Sequence, residues 1–171
     1  LMADTVRWWR RFLDQGMQIE LPESKPVDVY RASLAYLAIA RRKEGDDYIP
    51  TVNRFQYHYF WVRDGAYIVN AFDMAGRHEW ARQGLDHFLT CRRANGIICQ
   101  PPQWDGYGQT LWAFGSHWRL TGDNDWARRM YPYLADHVRG VFAEVAKDPL
   151  GLVPKAPPYD NEAIDGHYTG H

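Results

Sequence analysis

With 171 residues the chain has the length of one domain with a sizeable core, and its 20 Lys and Arg against 21 Asp and Glu leave a net charge of -1. That balance excludes the basic stripe that binding to nucleic acid or to an anionic membrane surface needs. No window reaches the roughly 20 apolar residues of a membrane-spanning helix, and the opening LMADTVRWWRRF places its charges after its apolar residues, unlike a secretory leader. The compartment is left unassigned. Cys91 and Cys99, without clustered His partners, make no zinc site and read as free thiols.

In chain order, Asp4 is placed to cap a helix running to about Gln15, with Val6, Trp9, Phe12 and Leu13 on one face and Gly16 as its stop. A second helix is expected from about Pro26 to Lys43, carrying Tyr30, Leu34, Leu37, Ala38 and Arg41 at helical spacing and ended by Glu44-Gly45-Asp46-Asp47. Residues 45 to 63 are too aromatic for a linker, and long loops of this kind are usually functional. A third helix is expected from Asp64 to Gly76. A fourth follows from Arg77 to about Arg93, burying Trp80, Ala81, Leu85, Phe88 and Leu89. After a loop with Pro101, Pro102 and Trp104, a fifth helix opens at Asp105 with Leu111, Phe114 and Trp118 and stops at Gly122. The sixth runs from Asp123 to about Lys147, with Met130, Leu134, His137, Val138, Val141 and Val145 on one face. No strand is expected. The last stretch, 148 to 171, is rich in Pro, Gly and Asp.

AGRHEWAR (75–82) and TGDNDWAR (121–128) repeat at a shift of 46, and the helices before them both open with Asp-Gly, at Asp64-Gly65 and Asp105-Gly106. Such a period means stacked helical hairpins. Tight Gly turns join helices three to four and five to six, while long aromatic loops join the others. With helices alternating in direction, the long loops gather at one end. A solenoid that binds along its concave face has no need of that asymmetry; a helical toroid with a pocket at one end does.

At that end, FQYHYFWVRDGAY (55–67) sets six aromatic rings around Arg63 and Asp64. Flat rings beside a charged hydrogen-bonding pair suit a pyranose, which has an apolar face and a polar rim; a buried aromatic cluster with an N-cap Asp is the plain alternative. Asp64 and Asp105 at helix N-termini are expected to stay ionised, as acceptors for sugar hydroxyls and poor general acids. Arg63 beside Asp64 adds a donor fork. Glycoside hydrolysis also needs a carboxylic acid to protonate the leaving oxygen, and Glu162, flanked by Tyr159 and Ile164, is the candidate, with Asp160 and Asp165 as rivals and a solvated turn as the bland reading. No second carboxylate suited to an inverting pair stands out in the chain. Asp123-Asn124-Asp125 lacks the Gly and closing Glu of a calcium loop, and no HExxH, P-loop, GxGxxG or GxSxG pattern occurs, so no cofactor or metal is expected.

These segments, taken in order, resemble the glucoamylase family of inverting glycosidases, which includes glucodextranases and bacterial trehalases. TVRWWRRFL is similar to the helix leading into that catalytic domain and YRASLAYLAIA to its first toroid helix. YHYFWVRDGAY resembles the Y-x-x-x-W-x-R-D segment lining the deepest sugar subsite, and QWDGYGQTLWAF the later Q-x-D-x-x-G helix start. The resemblance implies an all-α fold of stacked antiparallel hairpins, here a partial (α/α)6 toroid: a lead-in helix over 1–16, then the first part of the domain over 24–171. By it, Tyr57, Trp61, Arg63 and Asp64 bind substrate in the first subsite, Trp104 also contacts substrate, and Asp105 is a pocket or structural carboxylate. Glu162 is the general acid, and the general base lies beyond His171. The implied partners are an α-glucan or α-glucoside substrate and the remainder of the same catalytic domain, which would cover the apolar faces of an otherwise open arc. A different toroid glycosidase, a polysaccharide lyase using His167 or Tyr168, and a non-catalytic helical-repeat binding module are the alternatives.

Overall fold

The structure, a computed structural model, describes residues 1–56, 58–100 and 103–153. The described fold is all-α. Its helices are α1 (Met2–Asp14), α2 (Ser24–Ala40), α3 (Val62–Met74), α4 (His78–Phe88, followed by a 3₁₀ turn at Leu89–Cys91), α5 (Gly106–Thr121) and α6 (Asn124–Val145). No described helix is long and apolar enough to cross a membrane.

The expectation of no strand is corrected by a small hairpin, β1 (Arg42–Glu44) against β2 (Asp47–Ile49), antiparallel with Lys43 opposite Tyr48. Gly45, at φ 58°, supplies the left-handed turn residue that a two-residue hairpin loop needs. The second helix therefore ends at Ala40 and not at Lys43; the Thr51 hydroxyl donates to the freed Ala40 carbonyl at 2.5 Å. The fourth helix also stops early, at Phe88. The third begins two residues sooner than Asp64, at Val62, and no side chain of its own N-cap residue, Trp61, caps it.

Direction follows from what each helix end touches. Arg63 at the start of α3 meets Asp105 at the start of α5, and Asp73 near the end of α3 meets His117 near the end of α5, so the two run parallel. Between them α4 runs back: His78 begins it beside Asp73, and Phe88 ends it on the Phe60 ring, centroids 5.0 Å apart. In the same way α6 returns along α5, with Trp126 stacked on Phe114 at its start and His137 against the Tyr107 carbonyl further on. The repeat survives in detail. Gly76 and Gly122 turn with φ of 71° and 66°, and Arg82 and Arg128 each pair with an acid three residues back, Glu79 and Asp125.

The core lies on α3, whose Val62, Ala66, Val69 and Phe72 are buried against Leu85 and Phe88 of α4 and Phe114 of α5. Two glycines set the spacing. A Cβ on Gly65 would lie 2.5 Å from Phe60, and one on Gly106 would lie 2.7 Å from the Cys99 sulfur. The repeated Asp-Gly thus marks places where neighbouring chain presses on a helix start. α1 is fastened at the far end, where Arg77 donates to the Phe12 carbonyl and lies over the Phe12 ring at 4.5 Å. Between α5 and α6 an apolar cavity of about 450 Å³ stays open, lined by Phe114, Trp118, Trp126, Met130, Tyr131 and Leu134.

Candidate functional site

The starts of α3 and α5 are brought together by the 96–105 loop. Ile98 is held on both sides of its backbone: its N–H donates to His137 Nδ1 at 2.9 Å and its carbonyl accepts from the Thr110 hydroxyl at 2.9 Å. His137 in turn donates from Nε2 to the Tyr107 carbonyl, so two backbone partners fix the neutral tautomer, and burial pushes its pKa down. From this braced loop Gln100 reaches across to α3. Its side-chain oxygen accepts from the Val62 N–H at 2.8 Å and its nitrogen donates to the Phe60 carbonyl, clasping the backbone on both sides of Trp61. An orphan N–H of the first helical turn is thereby satisfied by a residue 38 positions away.

Arg63 then donates from Nε to Asp105 Oδ2 at 2.5 Å, and Gln109, one turn along α5, donates to the same oxygen at 2.8 Å. The ion pair is about three-quarters buried, with side-chain exposures of 27% and 21%. Arg63 thus bonds to Asp105, across the α3–α5 seam, while its charge still acts on the neighbouring Asp64. The placement of Asp64 is corrected. It sits inside the first turn of α3 and not at its cap, and its half-burial raises its pKa. A backbone hydrogen bond and the Arg63 charge offset that rise in part, and the Asp105 charge adds to it. Burial is the largest of these influences.

The five described rings of the six do not form one cluster around the pair. Phe60 is buried on His87 and Phe88 and belongs to the core, while Phe55 and Tyr59 face outward. Tyr67, one turn after Arg63, pairs with Trp112 at 5.4 Å, an exposed aromatic couple across the α3–α5 seam. Trp61, Arg63, Asp64, Trp104 and Asp105 all lie at the shared opening of the two helices. Tyr57 and Glu162 lie outside the described residues, as do Asp160, Asp165, His167 and Tyr168. Gln100, Gln109 and Trp112 were missed. The i, i+4 spacing of Asp105 and Gln109 on a helix was a visible signal for one of them.

Four polar atoms at this opening are buried without a hydrogen-bond partner among the described residues: the indole nitrogens of Trp61 and Trp104, Asp105 Oδ1 and Gln109 Oε1. Each such atom costs about 1–3 kcal/mol unless something completes it. Two donors and two acceptors beside aromatic surface match a ligand rich in hydroxyls. Among the described residues no group of three His, Cys, Asp or Glu could hold a metal ion.

No family model matches the chain, and no solved structure matches it. A protein of Methanocaldococcus jannaschii named as an uncharacterized glycosyl hydrolase is 25% identical over 142 residues, which cover 74% of this chain and 23% of that protein. The chain thus spans less than a quarter of the length of the curated relative it matches. What it carries is a distant likeness to a glycosyl hydrolase.

Proposed function

We propose that the chain is part of a glycoside hydrolase that cleaves α-glucosidic bonds with inversion, and that the opening of α3 and α5 is its first sugar subsite. The observation that carries this reading is the Arg63–Asp105–Gln109 bridge with unpartnered buried donors and acceptors on Trp61, Trp104, Asp105 and Gln109. The distant likeness to a glycosyl hydrolase supports it. Trp61 and Trp104 offer flat apolar faces, Asp64 and Asp105 accept from sugar hydroxyls, and Tyr57 completes the aromatic wall. Glu162 protonates the leaving oxygen. Val153 packs against the Ile97, Cys99 and Tyr107 cluster at the same end, which supports a segment after it serving this site. The general base comes from chain beyond His171, and the helices belong to an (α/α)6 toroid that the rest of the domain closes.

The test is made on the full-length protein with maltose, isomaltose and trehalose. Hydrolysis with the β-anomer of glucose formed first, followed by proton NMR, is the expected result. Glu162→Gln lowers turnover by about 10²–10⁴-fold with sugar affinity retained. Absence of hydrolysis on all three sugars, or turnover unchanged by Glu162→Gln, overturns the reading.

A further inference from the structure

A second site lies at the other end of the α3–α4 hairpin. The Arg41 guanidinium is held between the Tyr48 and Trp80 rings, 4.4 Å and 3.9 Å from their centroids. Nη2 donates to Gln83 Oε1 at 2.6 Å. Its other nitrogens make no hydrogen bond among the described residues and are not sealed from solvent. Among the described residues no carboxylate pairs with it: Glu79 reaches it only through the Gln83 amide and is itself paired with Arg82. Lys43, exposed on the hairpin, puts a second charge 5.3 Å from the same Tyr48 centroid. Two cations share one ring with no anion between them among the described residues, and burial pulls the Arg41 pKa down to about 10.

Trp8 of α1 and Trp80 of α4 wall a cavity of about 280 Å³ over these charges. Past the two indoles it adjoins another of about 330 Å³ that holds Arg11 and Arg77. Neither lining contains an Asp or Glu. A desolvated cation without a counter-ion is costly, and an arginine pre-oriented by stacking presents its open N–H edge to an incoming anion with little further loss of entropy. We propose that this groove binds an acidic saccharide, its carboxylate or phosphate on Arg41 and Lys43 and its ring against Trp8 and Trp80. The anion requirement follows from the charges alone; the saccharide ring rests on the carbohydrate reading above.

Titration calorimetry on the full-length protein with glucose 6-phosphate and glucuronate tests this, with glucose and inorganic phosphate as controls. Both acidic sugars are expected to bind saturably, at least about tenfold more tightly than either control, and to weaken in roughly 0.5 M NaCl. Arg41→Met, which keeps an unbranched apolar side chain and removes the charge, and Lys43→Gln, an exposed change, each cost about tenfold. Absence of saturable binding, binding that both variants leave intact, or phosphate binding as tightly as glucose 6-phosphate overturns the proposal. Maltose hydrolysis is read separately in the same variants, so loss of this site and failure of the hydrolase reading are told apart.

Discussion

Each end of the α3–α5 pair holds an aspartate that ties the two helices together, and the two are finished differently. At the far end Asp73 is 2% exposed, with both oxygens accepting from His117 Nδ1 and one also from His78 Nδ1. At the opening Asp105 gives one oxygen to Arg63 and Gln109 and keeps the other buried without a partner among the described residues. A completed polar network rigidifies, whereas an incomplete one is a standing cost that a ligand can remove. The contrast separates a structural pin from the proposed recognition site on the same helix pair.

The largest expected effect tests the pin. Asp73→Ala lowers stability by about 3–5 kcal/mol in urea unfolding, because it leaves the buried His117 nitrogen unpaired, while the folded fraction keeps its maltose affinity. Loss of affinity without loss of stability would erase the contrast. Next comes Asp105→Ala, which weakens maltose binding by about 2 kcal/mol in calorimetry and shifts unfolding less than Asp73→Ala does. Gln109→Leu removes one of two donors from the Asp105 oxygen and costs about 1 kcal/mol of affinity by the same measurement.

Two pH profiles sharpen the comparison further. Asp64 has a raised pKa through burial, so sugar affinity falls with acidity at a higher pH than an ordinary carboxylate near 3.8 would give, and Asp64→Asn removes that step. His137 is shifted the other way. Its folded pKa lies below the ordinary value of 6.5, so the unfolded chain takes the proton first. The stability it contributes is complete above about pH 6.5 and is lost as pH falls through the folded value. His87, also depressed by burial, adds to the same slope. Urea midpoints that hold constant from pH 7.5 to pH 5 would contradict this.

The helices were legible because their stops are local: Gly16, Gly76 and Gly122 adopt positive φ at the ends they were assigned, and the Asp123 side chain accepts from the Trp126 N–H as a cap. The shared opening of Asp64 and Asp105 was legible from the repeat. What escaped depends on contacts distant in sequence. The start of α3 is set by Gln100, so counting from Asp64 placed the first turn two residues late and put a half-buried first-turn side chain at the helix end. The Arg63–Asp105 bond escaped for the same reason, since it joins residues 42 positions apart. The hairpin did have a local signal, Gly45-Asp46, which was absorbed into a helix stop.

Gly65 and Gly106 carry a consequence for how the starts of α3 and α5 can change over evolution. With 2.5 Å and 2.7 Å to the nearest neighbours of an added methyl, neither position tolerates growth without displacing Phe60 or Cys99. The packing beneath the two helix starts is therefore a fixed dimension of the scaffold. If the proposed sugar subsite is to acquire new preferences, they have to arise by substitution around Trp61 and Trp104, with the frame beneath them inherited unaltered.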